Sequence, residues 1–402
     1  EVGNMSEMSR VSALLESAVE RGTVSGAVGL VRQDGKVVFH EAFGLAETGP
    51  NPRPATPTTL FDLASLTKPL VGAGVTLALV DRGVMSLDEE VTGALPELRS
   101  LRGQGVTYRR LVSHTAGIPG WRPLYVKARG KSEILAAVDD LGLASAPGSR
   151  FEYSDIGFMT LGIALERLGG QSLPELAEAL IFEPCGLSRT TYLPSFPKEE
   201  YAVTEEGNAF ERRMAEWAGL EFDRWRTTFH PGEVNDGNAH YGLGGVSAHA
   251  GLFSDAHEVG VLGEMWLRRG DSNGRRVLSS AVVDLAITNQ MPGRNAARGL
   301  GWDLAKRHGP TSEELSRADA GFFPPTDSAW SPRASGELLS ASAFGHTGFT
   351  GTSVWMDPAR DLVMVLLTNA THPRVDLDKP VNGLRARFHN VVAAATDAPV
   401  LR

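Results

Sequence analysis

Thr58-Thr59-Leu60-Phe61-Asp62-Leu63-Ala64-Ser65-Leu66-Thr67-Lys68-Pro69-Leu70-Val71 runs from a β-prone segment into an almost wholly apolar helical pattern. Proline is tolerated in the first turn of a helix but not deep inside one, so Pro69 predicts a helix start close to Ser65. Residues three apart share a helix face, which brings the Lys68 amine beside the Ser65 hydroxyl. A serine hydroxyl is a weak nucleophile near neutral pH and needs a nearby base, together with donors for the developing oxyanion. The helix N-terminus favours negative charge at the serine, and burial with neighbouring positive potential is expected to lower the Lys68 pKa enough for base chemistry. The plain alternative is a capping serine followed by a solvated lysine. Spacing alone does not separate the two, since Ser195-Phe196-Pro197-Lys198 has the same spacing in a proline-broken context.

The surrounding chain has 402 residues, 42% of them hydrophobic, enough for a large core. Its 45 glycines and 23 prolines are spread between periodic segments, as expected of many turns joining compact elements. A formal net charge of −9 without any basic run argues against nucleic acid and anionic membranes as partners. The apolar stretch from Pro69 to Val80 is too short to cross a bilayer, so no transmembrane segment is expected. Cys185 is the single cysteine, which leaves no internal disulfide and fits a small buried apolar role. Localisation stays open, and a removed leader would place the protein outside the cytoplasm, periplasmic or secreted.

Met5 to Arg21 has an amphipathic helix pattern, and Gly26 to Gln33 with Lys36 to Gly44 reads as a hairpin turning at Asp34-Gly35. Near the other end, Thr352 to Met356 and Leu362 to Asn369 are β-rich runs about the turn Asp357-Pro358-Ala359-Arg360, before a helix over Val381 to Ala395. Between them, helical spacing recurs over Lys68 to Asp81, Ser132 to Asp140, Ile156 to Leu168, Ser172 to Ile181, His257 to Arg268 and Ser279 to Asn289. The fold class is therefore α/β (α+β): an antiparallel sheet flanked by N- and C-terminal helices, with an inserted mostly helical part. The expected division is 1–60 and 296–402 for the sheet domain and 61–295 for the helical domain, with the site at their junction. Two turn-rich stretches, 195–251 and 308–342, read equally as lids or long surface connections.

Two further motifs follow Ser65 in order. Tyr153-Ser154-Asp155 stands just before a helical pattern, and His346-Thr347-Gly348 precedes a β-rich segment. With Ser65-x-x-Lys68 they make the chain resemble the penicillin-recognising serine hydrolases, in particular the branch with class C β-lactamases, D-alanyl-D-alanine peptidases and related esterases. The segments 111–119, 249–254 and 345–352 also look like family segments. The resemblance implies a β-lactamase/transpeptidase-like fold. It implies that Ser65 attacks a carbonyl, that Lys68 and Tyr153 share the proton transfers, and that the backbone amides of Ser65 and Phe349 form the oxyanion hole. His346, Thr347 and Gly348 would line the cleft and bind substrate, with Gly348 letting the substrate approach the backbone closely. Taken singly, Tyr153 would be read as a packed aromatic and His346 as a strand-end histidine.

The chain departs from the class C pattern at two of these positions. His346 stands where lysine is usual, and being only partly charged near neutrality it attracts a carboxylate less. Asp155 stands where asparagine is usual, and pairs with Lys68 or orients a substrate amide. No matching Glu-x-x-Leu-Asn segment supports a class A mechanism, and no serine sits in Gly-x-Ser-x-Gly. His230, His240, His249 and His257 lack metal-ligand spacing, and Asn235-Asp236-Gly237-Asn238 lacks the later glutamate of a calcium loop, so neither metal nor cofactor is expected. Trp121, Trp225 and Phe229 read as cleft aromatics or as packing. The expected function is hydrolysis of an amide or ester through an acyl-enzyme, acting on a small-molecule or peptide substrate: a D-amino-acid peptide, as for a D,D-carboxypeptidase, or a β-lactam. The alternatives are a promiscuous carboxylesterase and a catalytically weak binding or assembly protein on the same fold. The sequence leaves the oligomeric state open.

Overall fold

The computed structural model describes residues 7–228, 231–292, 297–305, 334–376 and 381–396. Strands β1 (Gly26–Gln33) and β2 (Lys36–Glu47) form the expected hairpin, and β3 (Arg53–Pro54) pairs with the end of β2. Two small pairs follow, β4 (Phe61–Asp62) with β5 (Phe253–Ser254), and β6 (Asp271–Ser272) with β7 (Arg275–Arg276). Strands β8 (Asp303–Leu304), β9 (Phe344–Thr347), β10 (Ser353–Asp357) and β11 (Leu362–Thr368) complete the main sheet. Its order is β3-β2-β1-β11-β10-β9-β8, and each neighbouring pair in it is antiparallel. The first hairpin thus meets the last strand in the middle of the sheet, which makes the two ends of the chain one layer.

Every residue of β11 is buried, although a half-exposed strand would alternate. The reason is that helices cover both faces. Leu362, Met364 and Leu366 pack with Val11 and Leu15 from the helix Ser9–Glu20 and with Leu384 and Phe388 from the helix Val381–Ala395. Val363, Val365 and Leu367 point the other way, toward Val259, Leu262 and Met265 of the helix Ala256–Leu267. This third helix falls within 61–295, the range expected for the helical part, yet it lies on the sheet. Gly260 and Gly263 let it come close: a Cβ on Gly263 would stand 2.7 Å from Val363 Cγ1.

The remaining helices pack around the segment that begins at Lys68. It opens as a wide turn over Lys68–Ala73 and continues as a regular helix over Gly74–Asp81. Leu70, Val71, Ala73, Val75, Leu77 and Ala78 are all fully buried, as expected for a helix that is apolar all round. Gly72 presses against the helix Asp155–Gly169, where its Cβ would meet Phe158 at 2.8 Å. The turn-rich stretch 195–251 holds one regular helix, Ala209–Trp217, and a wide turn, Asn238–Gly242. Most of the second turn-rich stretch, 308–342, lies outside the described residues. Among those described, no helix is long and apolar enough to cross a membrane.

Alanine is the better helix former by up to about 1 kcal/mol. Gly263→Ala is nevertheless expected to lower the denaturation midpoint, by overpacking worth about 1–3 kcal/mol against Val363. An unchanged or raised midpoint would show that the helix can lift off the sheet.

Candidate active site

Ser65 sits in a tight turn, Ala64–Leu66, directly after β4. Ala64 is held at φ +47°, a conformation that costs a non-glycine residue on the order of 1 kcal/mol and is usually held by its surroundings. Here the Asp62 carboxylate does the holding, accepting from the Ala64 amide at 2.9 Å and from the Asn235 amide at 2.7 Å. Burial pushes Asp62 up to about 6. Ser65 itself is partly accessible among buried neighbours. The other Ser-x-x-Lys is no such arrangement: Ser195 donates to Thr191 on the surface, and Lys198 opens a separate short turn.

Lys68 is wholly buried, and its Nζ donates to Ser65 Oγ at 2.9 Å and to the His249 carbonyl at 3.2 Å. Asp155 Oδ1 lies 2.6 Å from the same nitrogen. Of the two roles open to Asp155 in the sequence, the geometry therefore displays the pairing with Lys68. It also corrects the expectation for the amine. Burial alone would push the Lys68 pKa down, but Asp155 and Tyr153 outweigh it and hold the pKa above the ordinary lysine value. Lys68 rests as an ammonium.

Tyr153 immediately precedes the helix Asp155–Gly169, whose N-cap is Ser154. Ser154 Oγ accepts from the Gly157 amide at 2.9 Å and donates to the Pro119 carbonyl at 2.8 Å, which fixes this corner. The Tyr153 ring stacks on His114 at 4.4 Å, and Lys68 Nζ lies 4.8 Å from its centroid. The Tyr153 hydroxyl interacts with both Ser65 and Lys68, while burial outweighs these contacts and keeps its pKa above the ordinary phenol value.

The third motif arrives on β9. His346 is buried, with its ring 6.1 Å from that of Tyr153. It is neutral at physiological pH and not partly charged as expected: burial first, then Arg298 and Lys68, hold its pKa well below the usual histidine value. Gly348 also serves a close contact within the protein. A Cβ there would meet Thr352 Oγ1 at 2.2 Å and the Leu63 carbonyl at 2.4 Å. The loop after β9 is tied to the serine turn by Thr350 Oγ1 donating to the Asp62 carbonyl (2.6 Å) and Thr352 Oγ1 to that of Leu63 (3.0 Å). The buried Arg385 guanidinium donates to the carbonyls of Gly348 and Thr352. Phe349 lies on this pinned loop, 43% exposed, with its ring 5.6 Å from that of Phe210. Thr347 is partly exposed between His346 and Gly348.

Several residues that shape the site were not singled out in the sequence. His114 accepts from the Ser154 amide through Nδ1 at 3.0 Å, and the Arg298 guanidinium lies 5.5 Å from the Tyr153 ring centroid while paired with Asp303. His249 is buried, with Nδ1 2.7 Å from Ser247 Oγ and Nε2 2.8 Å from Asp236 Oδ1. The stretch Asn235-Asp236-Gly237-Asn238 thus supports the floor beneath Lys68. Of the three aromatics, Trp121 is buried, Trp225 packs with Tyr125, Phe222 and Tyr241, and Phe229 lies outside the described residues. Cys185 is buried in the core, and burial raises its thiol to about 11.

Comparison with known proteins agrees with the fold that brings Ser65, Lys68, Tyr153 and His346 together. The model of the Beta-lactamase family matches residues 11–387, and the chain belongs to that family. A Salmonella agona protein provisionally named a D-alanyl-D-alanine carboxypeptidase is 29% identical over 94% of this chain and 87% of its own. A penicillin-binding protein homologue from Caulobacter crescentus superposes with TM-score 0.70 at 20% identity, covering 97% of this chain and 98% of its own. EstCE1, described as a hydrolase with promiscuous acyltransferase activity, superposes with TM-score 0.67 at 20% identity, covering 96% and 100%.

Beneath the site, burial raises Glu211 to about 8, with the Asp236 carboxylate adding to the effect. A carboxyl whose folded pKa is raised lends stability that is lost as pH rises from its unfolded value through the folded one. The thermal midpoint of the wild type should therefore fall relative to that of Glu211→Gln between pH 6 and 9. Parallel midpoints across that range would contradict the raised value.

Proposed function

We propose that the protein is a serine hydrolase that acylates Ser65 with an amide or ester substrate, favouring peptides that contain D-amino acids. The reading rests on one observation above others: Ser65 Oγ, Lys68 Nζ and Asp155 Oδ1 form a continuous chain at 2.9 and 2.6 Å, with the Tyr153 hydroxyl in contact with its first two members. Lys68 and Tyr153, from two separate segments, would not converge on one serine for capping alone. The 29% identity to the Salmonella protein supports the peptide class.

With Lys68 already an ammonium, the proton route differs from the one expected of a neutral lysine. Ser65 Oγ attacks the carbonyl carbon as its proton passes to Tyr153 Oη, and Tyr153 gives its own phenolic proton to the leaving nitrogen or oxygen. The C–N or C–O bond then breaks, and the acyl group stays on Ser65. Water repeats the relay in reverse, giving its proton to Tyr153 as Tyr153 returns one to Ser65. Lys68 stays charged through both halves and steadies the negative charge that develops on Ser65 and Tyr153. The backbone amides of Ser65 and Phe349 receive the carbonyl oxygen. An esterase reading has its own support in the exposed Phe349 beside Phe210, which offers an apolar wall to a simple acyl group.

A phosphonate or β-lactam reagent is expected to add its mass to the intact protein and not to Ser65→Ala. The absence of an adduct with either reagent would sink the reading. Tyr153→Phe should lower kcat about 10²- to 10⁴-fold with the fold retained. Asp155→Asn removes the carboxylate that holds Lys68 charged, so Lys68 should lose its proton at lower pH. The alkaline limb of kcat/KM then moves down in pH, and an unmoved limb would mean that Lys68 does not control it.

A further inference from the structure

Arg385, on the helix Val381–Ala395, is a buried cation without an anion. It is 3% exposed, and burial pushes its pKa down to about 9, which leaves the guanidinium charged at neutral pH. A buried charge is costly and is ordinarily met by a carboxylate. Among the described residues no carboxylate pairs with Arg385, and burial is the one influence on its pKa. Its partners are neutral oxygens. Nη1 donates to the Asn382 side chain, and Nη2 donates to the carbonyls of Gly348 and, at 3.0 Å, Thr352. The whole charge is therefore directed at the loop after β9.

The Gly348 carbonyl and the Phe349 amide are two ends of one peptide group. The bond is trans, so the N–H points away from the guanidinium that the C=O faces. A cation bonded to the oxygen draws electron density from the nitrogen and makes the N–H a stronger donor. Linked hydrogen bonds reinforce one another in this way by about 10–30% each. The Gly351 amide donates to the same oxygen at 3.0 Å and acts in the same sense. Among the described residues, neither the Phe349 nor the Ser65 amide donates to a protein acceptor. The two donors that an oxyanion would need are both available.

We propose that Arg385 is a positioning residue that acts through the Gly348–Phe349 peptide, polarising it so that the Phe349 N–H binds the developing oxyanion more strongly. The gain is confined to the transition state, because the substrate oxygen gathers negative charge only as Ser65 Oγ adds to the carbonyl carbon. Arg385 itself makes and breaks no bond. This inference rests on the acyl-enzyme reading, which puts the oxyanion at the Ser65 and Phe349 amides.

Asn382→Asp tests the charge without removing the guanidinium. It sets a carboxylate against Arg385 Nη1, which offsets the positive charge while the bonds to the loop remain. Loss of a whole oxyanion donor costs about 10²- to 10³-fold in kcat, so weakening one is expected to cost about ten-fold. With p-nitrophenyl acetate, kcat of Asn382→Asp should fall by that factor and KM should stay unchanged, since acylation and deacylation both pass through an oxyanion. Its denaturation midpoint should equal or exceed that of the wild type, because the buried cation gains a partner. Arg385→Gln, which keeps a neutral donor, should lose about as much kcat, and Arg385→Lys, which keeps the charge, should recover most of it. A wild-type kcat in Asn382→Asp, a loss carried by KM, a midpoint that falls together with kcat, or equal losses in Arg385→Gln and Arg385→Lys would overturn the proposal. A phosphonate adduct on Ser65 together with any of these results would remove this inference and leave the acyl-enzyme reading intact.

Discussion

A fully buried ammonium is the constraint around which the rest of the site is arranged. Lys68 has no access to solvent, so its charge must be met inside the protein or given up. The Asp155 carboxylate at 2.6 Å meets most of it, with the His249 carbonyl and Ser65 Oγ taking the other two N–H bonds. Each of those acceptors comes from a different part of the chain. To keep Lys68 charged, the helix after Tyr153, the 247–251 segment and the serine turn must all arrive in register, so the ion pair ties function to the packing of the helical part.

The sheet enters through the serine turn. Ala64 would not hold a positive φ unaided, and what holds it is a set of bonds that cross between the two ends of the chain: Asp62 to the Ala64 and Asn235 amides, Thr350 and Thr352 to the carbonyls of Asp62 and Leu63. Gly348 lets the loop after β9 lie close enough for these bonds to form. The same loop carries the backbone of Phe349, so the position of that proposed oxyanion donor and the strain beside Ser65 have one structural cause. A substitution at Gly348 would disturb both together.

The features that could be read in the sequence were those with a local signature. The apolar run after Pro69, the hairpin at Asp34-Gly35 and the strand pair around Asp357 each contain their own periodicity and turn residues, and the structure has the strands within three residues of the expected bounds. Ser65, Lys68, Tyr153 and His346 were visible because their types and order mark them. What stayed hidden depends on tertiary contact. Nothing near Arg298 reveals that pairing of β8 with β9 carries its guanidinium to Tyr153. The charge on Lys68 was misjudged because the effect of burial can be anticipated from an apolar helix, whereas a carboxylate at 2.6 Å cannot. His249 looked like an isolated loop histidine because its partner Asp236 is a matter of folding and not of spacing.

Both departures from the class C pattern then follow one logic. A further cation at position 346 would stand close to Lys68 and Arg298 in a region from which water is largely excluded, where like charges repel strongly. A neutral histidine removes that repulsion, and the carboxylate of Asp155 balances the lysine that remains. The corner around Tyr153 is thereby organised as two closed ion pairs, Lys68 with Asp155 and Arg298 with Asp303, and a neutral imidazole. The buried Arg385 guanidinium, held by the carbonyls of Gly348 and Thr352, adds positive charge near the same imidazole. The ring of Phe349, on the loop beside it, packs with that of Phe210, and the tautomer of His346 is set by a single backbone carbonyl, that of Thr347.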